Sequence, residues 1–280
     1  MNATTSYFRD KAVLITGASS GIGAELARQL SAAGAKVTLA ARRRDHLDAL
    51  ARDIGAAGTE EPLVVECDVT REGDVERAVA ESVRRWGKLD VVFANAGFGV
   101  VGPLSGLSLD DYRRQFDTNV FGVLRTIQAA LPHIEKAKGN VVIVGSATGW
   151  IAAPGASAYS MSKFAVRALA NSIAPELRPL GVKVTLISPG FVDSEIRHVD
   201  NSGRFQAGAK DPVPAWLVVN TDKAVRQILR AVAREKREAI ITRHAKFLVA
   251  IERFAPWLLR AVTRRMAARG SSYRSSRPRG

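Results

Sequence analysis

Tyr159 and Lys163 stand four positions apart in Tyr159-Ser160-Met161-Ser162-Lys163. On a helix that spacing places both on one face, a single turn from each other. An ammonium beside a phenol favours the phenolate. Tyrosine ordinarily titrates near 10, and bringing it to about 7 demands roughly 4 kcal/mol of preference for the ionised form. A solvent-exposed pair cannot supply that, whereas a partly desolvated pair beside further positive charge can. Ser146 follows the apolar run Val141-Val142-Ile143-Val144-Gly145, so its hydroxyl is expected at the carboxyl end of a buried parallel strand. With the glycine-rich stretch Thr16 to Gly23 far upstream, the pattern points to hydride transfer: an alkoxide forms on a carbonyl oxygen, and a hydroxyl donor and a tuned acid both lower its barrier.

The glycine-rich stretch reads Thr16-Gly17-Ala18-Ser19-Ser20-Gly21-Ile22-Gly23. It lies between an apolar strand, Lys11 to Ile15, and a helical pattern, Ala24 to Leu30. Strand, turn and helix in that order are the context a glycine motif needs to cradle a dinucleotide. Gly17 permits a tight turn, Gly21 lets backbone approach a pyrophosphate, and Gly23 allows close packing of helix on sheet; the free helix N-terminus attracts phosphate charge. The second strand ends Ala40-Ala41-Arg42-Arg43-Arg44, with no acid at Ala41 to bind a ribose 2′-hydroxyl. Arg42 and Arg43 instead suit a 2′-phosphate, each contact contributing about 1.5–3 kcal/mol. NADP(H) is therefore expected over NAD(H).

Apolar strands recur at about 11–16, 35–41, 62–67, 89–94, 140–145, 182–188 and 238–242, with helical patterns between them. The expected fold is α/β: a doubly wound, predominantly parallel seven-stranded sheet of Rossmann type with helices on both faces, formed as one domain over residues 1–243. The single cysteine, Cys67, excludes an intrachain disulfide and a multi-thiolate metal site, and reads as a small buried hydrophobe. His46, His133, His198 and His244 lack metal-ligand spacing, so no metal is expected. No uninterrupted apolar run approaches the ~20 residues that span a bilayer, and residues 1–8 lack the features of a secretory signal, so a cytoplasmic setting is expected.

Asn119 on an earlier helical segment, the turn Asn95-Ala96-Gly97, then Ser146, Tyr159 and Lys163 follow the glycine motif in one order. In this the chain resembles the short-chain dehydrogenase/reductase family over roughly residues 10 to 240. The resemblance implies that Ser146 hydrogen-bonds the substrate oxygen and Tyr159 exchanges the proton. It implies that Lys163 binds the nicotinamide ribose and lowers the tyrosine pKa, and that Asn119 organises a water linking Lys163 to solvent. It assigns Gly17, Ser19, Ser20, Gly21, Ile22, Gly23, Ala96 and Gly97 to the cofactor cradle, Asp68 and Val69 to the adenine, and Asn95 to the support of the central sheet. Pro189, Gly190, Val192 and Ser194 match the loop that receives the nicotinamide carboxamide; family members commonly have threonine where Ser194 stands, and the hydroxyl is retained. The segment from about 191 to 216 resembles a substrate lid, and a homodimer or homotetramer is the implied assembly.

A net charge of +14 raises nucleic acid or anionic membrane as partners. Its distribution matters more than its total: from Arg253 to the end there is no acid, while Arg260, Arg264, Arg265, Arg269, Arg274, Arg277 and Arg279 all fall there, so much of the excess belongs to a tail and not to the catalytic domain. Over 244–269, Phe247, Leu248, Ile251, Phe254, Ala255, Leu258, Val262 and Met266 recur at spacings of three and four, and Pro256 is expected to divide two short helices. This basic amphipathic extension packs on its own domain or a dimer partner, or lies in a membrane interface, which would favour a bulky, lipid-, steroid- or retinoid-like substrate. Residues 270–280, rich in Ser and Arg, are expected to be disordered. Two rival readings stand beside an NADP(H)-dependent carbonyl/alcohol oxidoreductase: an NAD-dependent alcohol dehydrogenase of the same fold, and a non-catalytic nucleotide- or nucleic-acid-binding protein. The complete set Asn119, Ser146, Tyr159 and Lys163 argues against the second.

Overall fold

Runs rich in Val, Ile, Leu and Ala become β1 (Ala12–Thr16), β2 (Lys36–Ala41), β3 (Leu63–Glu66), β4 (Val91–Ala94), β5 (Asn140–Val144), β6 (Lys183–Pro189) and β7 (Glu238–Ile241), the edge strands β3 and β7 being only partly covered. The computed structural model describes residues 3–194, 201 and 213–270. Within them these strands form one seven-stranded sheet in the order β3-β2-β1-β4-β5-β6-β7, every pairing parallel. Each strand falls within two residues of its expected ends. The chain starts in the middle at β1, moves outward to β3 and then crosses to β4, so the direction of winding reverses between β1 and β4. At such a reversal the outgoing loops diverge and leave a crevice at the carboxyl ends of the strands.

Parallel neighbours need crossovers, and helices supply them: α1 (Ala3–Phe8) precedes the sheet, followed by α2 (Gly21–Ala32), α3 (Arg44–Ala56), α4 (Asp74–Trp86), α5 (Leu109–Phe116), α6 (Gly122–Lys136), α7 (Ser157–Leu177) and α8 (Thr221–Ala233). Alternate strand residues serve opposite cores. Ile15 and Leu39 pack with Leu26 and Leu30 of α2 and Ile228 of α8, while Leu14 and Ile143 pack with Val79 of α4, Ile134 of α6 and Val166 of α7. The short α1 was not anticipated. Its anchor is Phe8, fully buried, with Tyr7 edge-on to it at 4.9 Å and the Lys11 ammonium 3.4 Å from the Tyr7 ring centre.

Two helical features bear on the crevice. A capping box, Ser108 with Asp111, starts α5, and between α5 and α6 one turn, Asp117–Phe121, is a π-helix. The 21-residue α7 begins two residues before Tyr159, so Tyr159 lies in its first turn and Lys163 in its second.

Beyond β7, α9 (Arg243–Phe254) and α10 (Pro256–Gly270) meet at Pro256. The face of α9 turned to the domain carries small residues. Ala245 and Val249 are buried against the domain, whereas Phe247 and Phe254 are 66% and 80% exposed. Small residues, not the large aromatics, let α9 approach the edge of the sheet. No helix among the described residues is long and apolar enough to cross a membrane, and none of them form a metal-holding cluster of His, Cys, Asp or Glu. His198 and most of the expected lid, residues 195–200 and 202–212, lie outside the described residues, as does 271–280 of the expected disordered tail.

Candidate active site

The crevice is built first from backbone. Thr16 Oγ1 donates to Phe93 O (3.2 Å) and accepts from the amides of Asn95 (3.1 Å) and Ala96 (3.2 Å). Asn95 Nδ2 returns bonds to Thr16 O (2.9 Å) and Gly17 O (3.2 Å), which locks the turn after β4 to the turn after β1. These contacts are too close for side chains. A Cβ on Gly17, where φ is +67, would fall 2.7 Å from Ala96 Cα, and one on Gly23 would fall 2.2 Å from Gly17 O. Gly21 faces the loop after β6, where its Cβ would come within 3.0 Å of Ser194.

Arg43 reaches over the same turn: its Nη2 donates to Ser20 Oγ (2.9 Å) and Ser19 Oγ (3.1 Å), and its Nε donates to Ser19 Oγ (3.3 Å). Arg42 is exposed, so adjacent arginines of equal weight in the sequence occupy different surroundings. Asp68, past β3, accepts from the amide (3.0 Å) and hydroxyl (2.8 Å) of Thr70. Val69 is buried against Gly122, where a Cβ would fall 2.6 Å from its methyl, and Ile22 is half-buried on the core. A glycine turn with no room for Cβ atoms, at a helix N-terminus and under a guanidinium, fits the pyrophosphate and phosphate groups of a dinucleotide.

At the next crevice wall, Asn119, Ser146, Tyr159 and Lys163 converge from three separate elements. Lys163 is only 5% exposed; its ammonium donates to Val144 O at 3.1 Å and stands 5.7 Å from the centre of the Tyr159 ring. The Tyr159 hydroxyl faces the hydroxyls of Ser146 and Thr148, which favour its ionised form. Ser146 Oγ accepts in turn from Thr148 Oγ1 (2.9 Å) and the Thr148 amide (3.2 Å). Asn119, in the π turn, accepts from the Phe98 amide (3.0 Å) and donates through Nδ2 to Phe98 O (3.0 Å) and Ser162 Oγ (3.2 Å). Ser162 Oγ then donates to Tyr159 O (2.7 Å), so Asn119 ties the turn after β4 to the first turn of α7. Gly97 keeps that junction open: its Cβ would fall 3.0 Å from Asn119 Oδ1 and 3.7 Å from the Lys163 ammonium.

The model of the short chain dehydrogenase family matches residues 11–204, well over half of the chain and all of the elements just described up to the loop after β6. The chain belongs to the short-chain dehydrogenase/reductase family. It is similar to the mouse "Dehydrogenase/reductase SDR family member 7B", 32% identical over 278 residues, which are 97% of this chain and 85% of that protein. Sesame "11-beta-hydroxysteroid dehydrogenase A" is 32% identical over 237 residues, 81% of this chain and 67% of that protein. Among solved structures, an alcohol dehydrogenase from the archaeon Thermococcus sibiricus, complexed with 5-hydroxy-NADP, superimposes with a TM-score of 0.71 at 28% identity over 82% of this chain and 95% of that one. As a short-chain dehydrogenase/reductase, this protein is an oxidoreductase of hydroxyl and carbonyl groups with an NAD(P)(H)-binding fold.

The electrostatics of the cofactor-free site show why the pair needs further positive charge beside it. Burial pushes the Tyr159 phenol above its ordinary 10, and the hydroxyls of Ser146 and Thr148 only partly oppose it. Burial also acts against the charge on Lys163, whose pKa falls to about 8. A phenolate therefore needs charge beyond this pair. Three supporting residues escaped the sequence reading: Thr148; Ser162; and Gln115, whose amide donates to Phe98 O (2.8 Å) and accepts from Val100 N (2.6 Å). Gln115 sits four residues before Asn119, one turn away on the same side, and Thr148 two after Ser146, spacings that hint at both.

Lys163 also carries a stability prediction. Its native pKa of about 8 lies below the unfolded 10.5, so the unfolded chain binds the extra proton between these values and stability gains from rising pH in that window. The full cost, on the order of 3 kcal/mol, is present below pH 8. Cofactor-free Lys163→Met should melt above the wild type at pH 7, with the gap closing toward pH 10.5. A gap that stays constant with pH would show that the ammonium is not desolvated as described.

Proposed function

We propose that this protein is an NADP(H)-dependent oxidoreductase that interconverts a carbonyl and a secondary alcohol on a bulky apolar substrate. The observation that carries the cofactor choice is Arg43, held over Ser19 and Ser20 at the end of β2 with no acid at Ala41. A guanidinium there matches a 2′-phosphate, and a ribose 2′-hydroxyl finds no carboxylate to accept its proton.

A bound reduced nicotinamide supplies the hydride. In reduction, Tyr159 gives its hydroxyl proton to the carbonyl oxygen as negative charge develops there, and Ser146 donates a hydrogen bond to the same oxygen. Thr148 donates to Ser146 Oγ, which aims the Ser146 hydrogen away from Thr148 and toward the crevice. Lys163, buried and charged below about pH 8, holds the tyrosinate left behind and presents N–H groups to a ribose. Both Nδ2 hydrogens of Asn119 are engaged, so its side chain keeps the 97–98 turn and α7 in register.

The substrate reading draws on the extension after β7 and on the sesame relative's name. Phe247, Phe254 and Trp257 are 66%, 80% and 66% exposed, and Lys246, Arg253 and Arg260 are exposed with them. Aromatic and basic groups side by side suit an anionic lipid interface, each cation contributing about 1 kcal/mol there. We place the protein in the cytoplasm with peripheral membrane contact, as a homodimer or homotetramer whose exposed Phe121, Met161 and Phe164 are candidates for the subunit contact.

A panel of small soluble and bulky apolar ketones, followed by NADPH and NADH absorbance, tests this reading. The bulky ketones should give the higher kcat/KM, and with NADPH. Equal or better rates with NADH would select the NAD-dependent alternative, and inactivity throughout would favour a non-catalytic nucleotide binder. Replacing Phe247, Phe254 and Trp257 together by Ser should abolish sedimentation with anionic vesicles at low salt while leaving reduction of a small ketone intact. Wild-type protein that stays in the supernatant would remove the membrane reading and most of the support for a lipid-like substrate.

A further inference from the structure

The start of α9 reaches back to the loop after β6. The Phe191 amide donates to His244 Nε2 at 3.0 Å, the Phe191 and His244 rings stack at 5.5 Å and 20°, and Thr242 Oγ1 lies 3.1 Å from the same nitrogen. Gly190 has no Cβ where this cluster closes; one built there would fall 2.4 Å from both His244 Nε2 and Thr242 Oγ1. Thr242 is buried with φ +80 and ψ 144, a backbone region that a β-branched residue adopts only when its surroundings impose it. On its other side the loop is tied to the segment before α8, by Asp193 N to Val219 O (2.9 Å) and Val219 N to Phe191 O (2.9 Å). Its far end, Ser194, meets Gly21 of the glycine turn.

We infer that His244 is a positioning residue for the dinucleotide: its unprotonated imidazole latches the Phe191 amide and so holds the loop from Pro189 to Ser194 against the glycine turn. The inference rests on the proposed function, since it needs a dinucleotide in the cradle. An amide can donate only to a nitrogen that carries no proton, so protonation turns the acceptor into a second donor and releases the loop. Burial lowers the His244 pKa from 6.5, which keeps the latch closed at neutral pH and opens it on the acid side. Charged groups on the elements around it are Asp193 on the loop, Arg237 and Glu238 at β7, Arg243 and Lys246 on α9, and Arg260 on α10; burial is what lowers it.

Two readouts test the latch in the full-length protein. Without cofactor, hydrogen exchange over Gly190–Ser194 should quicken about fivefold in His244→Ala and stay slow in His244→Gln, whose amide oxygen can accept from Phe191. At pH 8, the Kd for NADPH should rise about fivefold in His244→Ala, with kcat at saturating cofactor within twofold of wild type, and His244→Gln should restore the Kd. The phosphate of NADPH titrates near pH 6 itself, so the diagnostic is a difference: toward pH 5.5 the wild type should lose more affinity than His244→Gln. Identical pH profiles for those two proteins would overturn the proposal even if His244→Ala fails to fold. Unchanged exchange and affinity in His244→Ala would overturn the latch and leave the function standing. A wild type that binds neither NADPH nor NADH would overturn the function and the latch together.

Discussion

Tyr159→Phe should lower kcat by about 10²–10⁴-fold, the range a positioned general acid contributes, while the Kd for NADPH stays close to wild type. The substitution deletes one hydroxyl and keeps the ring. Ser146 and Thr148 remain bonded to each other at 2.9 Å, so no buried hydroxyl is orphaned and the fold should melt within a degree or two of wild type. Single-turnover absorbance with saturating NADPH separates chemistry from binding. A variant that retains a tenth or more of the wild-type rate would mean that another group protonates the substrate oxygen.

Arg42→Ala combined with Arg43→Ala should weaken NADPH by about 2–4 kcal/mol and leave NADH nearly unchanged, since only the former carries a 2′-phosphate for the guanidinium groups to bind. Titration calorimetry with both cofactors measures it. The structure sharpens the expectation: Arg43, fixed on two serine hydroxyls, should account for most of the loss as a single variant, and exposed Arg42 for little. The pair are neighbours, so their separate effects need not add. If NADH weakens as much as NADPH, Arg43 acts by holding Ser19 and Ser20 in the turn, and the cofactor preference has another origin.

The sheet was legible because its five central strands are buried on both faces, which writes them into the sequence as short unbroken apolar runs between punctuating glycines and helices. The glycine turn was legible for a related reason. Backbone packs on backbone at Gly17 and Gly23, where a Cβ would fall 2.7 Å from Ala96 Cα and 2.2 Å from Gly17 O, and only one residue type meets that demand. By contrast, α1 left no signal beyond one phenylalanine, and the amphipathic reading of 244–269 left open whether the stripe with Phe247 and Phe254 packs on protein or lies in a membrane interface. Periodicity reports that a stripe exists but not which way it faces, and here Ala245 and Val249 let α9 lie closer to the sheet than aromatics would.

The sequence alone determined the candidate groups for the proposed reaction and their supporting strands, because residue type limits which side chain can donate a proton, bind a phosphate or allow a turn. Only the tertiary structure decided how those groups are tuned and paired. Lys163 sits in a desolvated pocket that lowers it to about 8, burial raises the Tyr159 phenol, and Arg43 rather than Arg42 is anchored on the turn. His244, more than fifty residues from the loop it holds, carries no local mark of that contact. Desolvation and long-range hydrogen bonds depend on what packs around a group from elsewhere in the chain, and a local pattern of residues does not contain that information.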